Sequence, residues 1–176
     1  NKSIVTKMTS TLTNRPTLIH VEKHGLKFLI FDAPSERNVH LYVKEFQKYN
    51  VKHVVRVCQS TYPKEIVERA SITFHDWPFD DGSSPPQNVL KNWLDLVNET
   101  FPVNSTSSVQ PDEQPTIAVH CVAGLGRAPV LVAVALVERA QMDALDAISF
   151  IRARRRGAIN ATQMHFIEKY YKNKKK

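Results

Sequence analysis

The chain has 176 residues, a formal net charge of +7, 42% hydrophobic residues and two cysteines. This length accommodates one α/β domain with a sizeable core, and the hydrophobic share supports a folded globule. No apolar run reaches the roughly 18 residues needed to span a bilayer, the chain does not open on a charged-then-apolar signal segment, and two cysteines are too few for a secreted disulfide scaffold, so a reducing cytosol is the expected compartment.

Residues 1–15, rich in Ser, Thr, Asn and Lys, are predicted to form a mobile arm. Two short β-rich runs at 17–21 and 27–31, around Gly25, suit a hairpin at a sheet edge. Residues 35–49 read as an amphipathic helix with Ser35 as N-cap and Val39, Val43 and Phe46 in an inward stripe flanked by Tyr42 and Tyr49. A strand over 51–57 carries Cys58 at its C-terminal end, followed by a short helix over 63–69 and a short strand over 72–75.

The segment 77–86 (Trp-Pro-Phe-Asp-Asp-Gly-Ser-Ser-Pro-Pro) is a turn-rich loop beyond a strand end, where open α/β sheets place their ligands. A helix over 87–101 is expected to bury Val89, Leu90, Trp93, Leu94 and Val97. Residues 102–115 break all periodicity and read as a surface loop; Asn104-Ser105-Thr106 within it matches a glycosylation sequon that a protein of the cytosol would leave unmodified.

Residues 116–129 organise the chain: a buried strand (Thr-Ile-Ala-Val-His120), Cys121, a glycine loop (Val122, Ala123, Gly124, Leu125, Gly126), then Arg127-Ala128-Pro129 opening a helix. The glycines permit positive φ and close backbone approach, so successive N–H groups can converge on an anion at the helix N-terminus. A cysteine in that field has its thiolate stabilised; such settings lower its pKa from about 8.5 towards about 4–7. Arg127 supplies a planar fork that grips two phosphoryl oxygens and stabilises transition-state charge. The spacing therefore describes a phosphate cradle whose nucleophile attacks phosphorus to form a phosphocysteine. Expelling the leaving oxygen needs a proton donor, for which Asp80 and Asp81 are the candidates.

The next helix, 129–140, is apolar on nearly all sides and is expected to be central and buried. Asp143 caps a further helix with Ala144, Ala147, Ile148 and Ile151 inward, ended by three arginines and Gly157 as C′ residue. A last helix from about Ala161 carries Met164, Ile167, Tyr170 and Tyr171. Strands alternating with helices imply an α/β domain over residues 16–171: a central, mostly parallel twisted sheet of about five strands flanked by about six helices.

The strings His120-Cys-Val-Ala-Gly-Leu-Gly-Arg-Ala-Pro-Val130, Arg56-Val-Cys58, Thr61-Tyr62, Asn92-Trp93-Leu94 and Arg155-Arg156-Gly157-Ala158 resemble the phosphatase of regenerating liver family, within the Cys-x5-Arg protein tyrosine phosphatases. The resemblance implies the fold of that superfamily and a protein tyrosine or dual-specificity phosphatase of slow turnover, acting on a phosphotyrosine protein or a phosphoinositide. It implies that the second aspartate of the Trp-Pro-Phe-Asp-Asp-Gly string, Asp81, is the general acid, with Asp80 as runner-up. Ala128 stands where most of the superfamily has Ser or Thr, a hydroxyl that helps sulfur leave. The family's reversible disulfide maps onto Cys58 and Cys121; the alternative for Cys58 is a small buried hydrophobe. Residue Gln59 departs from the family's usual acidic residue. His120 either supports the loop and tunes the thiolate or is a satisfied core histidine.

The positive charge is concentrated late, in Arg152, Arg154, Arg155, Arg156, Lys169 and the tail 172–176. Anionic lipid headgroups, nucleic acid and plain solvation all suit such a cluster; without an aromatic-interleaved motif, nucleic acid is not expected. The family ends in a prenylated cysteine box after its basic run, so the resemblance implies peripheral attachment at the cytoplasmic face of membranes, either through such a box beyond Lys176 or through the basic tail alone. It also implies a second function class, a binding module that clamps a magnesium-transporter regulatory domain. Homo-oligomerisation stays open, and the remaining histidines lie in no metal-ligand spacing, so neither metal nor cofactor is expected.

Overall fold

The computed structural model describes residues 11–103 and 110–176. The sequon at Asn104 and the first ten residues of the expected arm lie outside them. Strands β1 (Thr17–Val21) and β2 (Leu26–Phe31) form an antiparallel hairpin. Then follow α1 (Val39–Lys48), β3 (Val51–Arg56), α2 (Glu65–Glu68), β4 (Thr73–Asp76), α3 (Gln87–Thr100), β5 (Thr116–His120), α4 (Arg127–Arg139), α5 (Ala144–Arg154) and α6 (Ala161–Lys174). The sheet order is β1-β2-β5-β3-β4, parallel throughout except for β1. The architecture is the one that the alternation of strands and helices implies.

Every residue of β2 and β5 is buried, as expected of strands covered on both faces. Alternate side chains go to different layers. Phe28, Ile30, Val55, Ile117 and Val119 join a core with Trp93, Leu131 and Ile148 from α3, α4 and α5, whereas Leu29, Phe31, Val54 and Ala118 pack with Tyr42, Phe46 and Val67 from α1 and α2. Helix α4 is buried from Arg127 to Val137, so its apolar circumference is the sheet's main cover. With β5 seated between β2 and β3, the chain leaving β5 emerges in the middle of the sheet's C-terminal edge, the crevice in which such sheets hold ligands.

Several local expectations shift. Asn38 rather than Ser35 takes the N-cap of α1; the Ser35 carbonyl accepts the Val39 N–H at 2.9 Å, and the Ser35 N–H donates to Asn38 Oδ1 at 2.7 Å. On α3, Leu96 is buried and Leu94 only half-buried; the two flank the 89–93–97 stripe on opposite sides, and the core lies on the side of Leu96. The C-cap of α5 is Arg155, so Gly157 stands two positions past the cap, with φ +86°. Asp143 caps α5 as expected, its carboxylate accepting the Asp146 N–H at 2.8 Å. Asn160 and Gln163 add a reciprocal capping box to α6. At the far end of the 102–115 segment Gln114 donates to the Gly25 carbonyl at 2.6 Å, fastening this segment to the β1–β2 turn, away from the crevice.

Candidate active site

Beyond β5 the backbone from Cys121 to Gly126 curls into a loop that ends as the N-terminus of α4. Its carbonyls are all accounted for from outside the curl. The His120 oxygen accepts the Val57 N–H (3.1 Å), Val122 the Ala33 N–H (2.8 Å), Leu125 the Ile159 N–H (2.8 Å) and Gly126 the Val130 N–H (3.1 Å). The Cys121 oxygen accepts from His120 Nδ1 at 2.9 Å, and those of Ala123 and Gly124 accept from Arg155 at 3.1 and 2.6 Å. With every carbonyl drawn outward, the intervening N–H groups are left to face the interior of the curl, beside the positive end of α4. Gly124 adopts φ +70°, and a Cβ there would stand 2.6 Å from the Phe31 oxygen; at Gly126 it would stand 2.7 Å from Gln163 Nε2. Gly124 therefore needs glycine, for its φ and for its approach to backbone, whereas at Gly126 the neighbour is the movable end of the Gln163 side chain.

Cys121 is buried at the base of a cavity of about 300 Å³ whose walls include Asp81, Arg127, Asn160 and Gln163. Arg127, itself buried, donates through Nη1 to the carbonyls of Phe79 (2.8 Å) and Val57 (3.4 Å), and its Nε lies 3.8 Å from Asp81 Oδ1. The loop carrying the two aspartates is thereby tied to the cradle. Asp81 lines the cavity with its side chain 79% exposed. Asp80 instead uses its carbonyl to accept the Ser83 N–H at 3.2 Å, closing the turn.

His120 is fully buried and takes the Nδ1–H tautomer by its partners: Nδ1 donates to the Cys121 carbonyl, and Nε2 accepts from the Tyr62 hydroxyl at 2.6 Å. Burial pulls its pKa down to about 4, so the ring is neutral near pH 7. Tyr62 is held in turn by Arg56, which donates to its carbonyl at 3.1 Å and pairs with Asp76 through Nε (3.0 Å) and Nη2 (2.8 Å). Cys58 is buried, with Sγ 3.8 Å from His120 Nδ1, and burial pushes its thiol pKa up. Both thiols are free.

The fold brings Cys121, the 122–127 loop, Asp81, His120 and Cys58, all marked by sequence motifs, to one place. The family-like strings include Tyr62 and Arg155 without giving either a role in the site, and Gln163 and Ile159 belong to none of them. Ile159 holds φ +66°, a strained setting for a β-branched residue, where its N–H meets the Leu125 oxygen. The late arginines also divide. Arg155 is buried under the loop, and Arg152 donates to the carbonyls of Ala158 and Ile159, leaving Arg156 as an exposed member of the run. Among the described residues no group of three or more His, Cys, Asp or Glu side chains is arranged to hold a metal ion.

Residues 35–175 match the family "Dual specificity phosphatase, catalytic domain". The chain is 55% identical over 144 residues to protein tyrosine phosphatase PRL-1 of Leishmania major, covering 81% of each chain. It is 47% identical over 157 residues to human protein tyrosine phosphatase type IVA 3, covering 89% of this chain and 86% of the other. A solved structure described as a protein tyrosine phosphatase from Leishmania major superposes with a TM-score of 0.78 at 49% identity, over 89% of this chain and 99% of that one. The kinase associated phosphatase shares the fold at 16% identity, with a TM-score of 0.70 over 90% of this chain and 94% of the other. The chain thus belongs to the phosphatase of regenerating liver family, the type IVA protein tyrosine phosphatases, and is a protein tyrosine phosphatase with a dual-specificity catalytic domain.

Proposed function

We propose that this phosphatase hydrolyses phosphotyrosine in proteins through a phosphocysteine on Cys121. The observation that carries the reading is the outward capture of seven successive carbonyls from His120 to Gly126, which leaves the amides for an anion above a buried sulfur. In the first step the Cys121 thiolate forms the S–P bond as the P–O bond to the tyrosine breaks, and Asp81 gives its proton to the departing oxygen. In the second step Asp81, now a carboxylate, takes a proton from water; the water oxygen bonds to phosphorus, the S–P bond breaks and inorganic phosphate leaves. Arg127 keeps Nη1 on backbone carbonyls and offers its remaining edge to the equatorial oxygens, a donor fixed in advance where transition-state charge develops.

Ala128 provides no hydroxyl to assist sulfur departure, so the second step is slow and the phosphocysteine accumulates. Acid quenching with a labelled phosphotyrosine peptide should trap about one phosphate per chain on Cys121, none in Cys121→Ser, and Asp81→Ala should lower turnover by roughly 10²–10⁴. Label on another residue, or activity retained by Cys121→Ser, defeats the assignment. The same trapping with a phosphoinositide separates protein from lipid substrate.

Two further features accompany this reading. Peroxide would oxidise Cys121 to a sulfenic acid, which the Cys58 thiol attacks with loss of water to give a disulfide; the placement of the Cys58 thiol beside His120, the residue that precedes Cys121, supports it, and peptide mapping after mild peroxide tests it. The exposed cations Arg156, Lys169, Lys172 and Lys176 support peripheral attachment to an anionic cytoplasmic membrane face. That attachment should appear as cosedimentation with phosphatidylserine vesicles, lost at high salt.

A further inference from the structure

Arg155 is only 9% exposed, yet among the described residues its direct partners are all neutral oxygens. Nε donates to the Gly124 carbonyl at 2.6 Å, Nη2 to the Ala123 carbonyl at 3.1 Å, and Nη1 to Thr17 Oγ1 at 2.9 Å and the Ile30 carbonyl at 3.4 Å. A buried charge is ordinarily paired, because its desolvation is costly. A guanidinium cannot escape by losing its proton. Asp32, the carboxylate that acts on it, does so at longer range and is itself engaged by the Tyr42 hydroxyl and Asn14 Nδ2. The two carbonyls it holds belong to the loop that curls over Cys121. Gly124 allows this approach: a Cβ at that position would meet Arg155 Nη2 at 2.6 Å.

We propose that Arg155 is a positioning residue and the second cation of the phosphate cradle: it fixes the Ala123 and Gly124 peptides with their N–H groups inward, and its unpaired charge favours an anion in the cradle. The inference rests on Cys121 being the nucleophile. Peptide dipoles aligned between the guanidinium and the site carry the field across the loop, so the Cys121 thiolate, and after it the phosphoryl group, supplies the counter-charge that Arg155 lacks. The burial that opposes charge on Arg155 is offset by Asp32, Cys121 and Tyr42, in that order. Around the sulfur the other titratable or charged groups are Arg127 from α4, neutral His120 from β5, Cys58 beyond β3 and Asp81 from the acid loop.

The test is the pH dependence of iodoacetamide alkylation at Cys121 in a Cys58→Ser background, where it is the chain's one remaining thiol. Arg155→Met should displace the alkylation profile towards higher pH and weaken competition by vanadate roughly tenfold. Arg155→Lys, which keeps charge without the fork, should fall between. Asp32→Asn should move the thiol pKa in the opposite direction, downward, because it removes the negative charge that partly neutralises Arg155. A purely structural Arg155 lowers Tm in Arg155→Met without moving the thiol profile, and that result overturns the proposal. If Arg155→Met fails to fold, Asp32→Asn decides alone: an unchanged or raised pKa overturns it. An ordinary thiol pKa in the parent protein refutes the nucleophile assignment itself and this inference with it, and is told apart because it shows before any change at position 155.

Discussion

Acid should unfold this protein through His120. The ring is fully buried, donates from Nδ1 and accepts at Nε2 from Tyr62, so a second ring proton would face the tyrosine's own hydrogen. Burial lowers its pKa from 6.5 to about 4. Between these two values the unfolded chain binds a proton that the folded chain refuses, so stability is complete above pH 6.5 and is lost as pH falls towards 4. At 1.36 kcal/mol per unit the gap amounts to about 3 kcal/mol by pH 4, of which about 2 kcal/mol is lost by pH 5. Burial shifts His53 and His75 in the same direction, so the wild-type slope alone is ambiguous. The comparison is with His120→Asn, whose amide can still donate to the Cys121 carbonyl. Urea midpoints at pH 7 and pH 5 should show the wild type losing about 2 kcal/mol more than the variant. Parallel losses in the two proteins would refute the reasoning.

Tyr62→Phe leaves His120 Nε2 as a buried acceptor without its donor, which should cost about 1–3 kcal/mol in urea denaturation; a loss below about 0.5 kcal/mol shows that water replaces the hydroxyl. Gly124→Ala sets a Cβ against the Phe31 oxygen at φ +70°, so stability should fall by at least ~2 kcal/mol and phosphocysteine formation should collapse; wild-type burst amplitude contradicts this. Ala128→Ser should raise steady-state turnover on an aryl phosphate by speeding phosphocysteine hydrolysis, and an unchanged burst-corrected kcat counts against it.

The central strands are legible in the sequence because they are covered on both faces, so β2 and β5 read as largely apolar runs of the right length. The cradle is legible because its parts are contiguous: Cys121, two glycines and Arg127 lie within seven residues. Asp81 comes from a separate loop and is separable from Asp80 only by resemblance, since Asp-Asp-Gly is also plain turn chemistry. The α1 cap escapes a sequence reading because Ser35 and Asn38 are both good capping residues, and only the backbone path decides between them. Arg155 escapes it for a different reason. In a run of three arginines beside a basic tail, composition speaks for solvent or lipid, while burial depends on where α5 ends relative to a loop about thirty residues earlier in the chain.

The burial of Arg155 points to how the site is built. The carbonyls of the 120–126 stretch are captured by Ala33 beyond β2, Val57 beyond β3, His120 on β5, Val130 on α4, Arg155 at the end of α5 and Ile159 before α6. Each donor comes from a different element, so the inward set of the amides cannot form until the sheet and the α4–α6 layer have packed. A motif specifies which atoms are present in the cradle, but their orientation is a property of the whole domain. Loss of a distant donor should therefore register at the sulfur before it registers in the fold, because a loosened carbonyl lets one peptide turn its N–H away while the apolar core beneath stays intact.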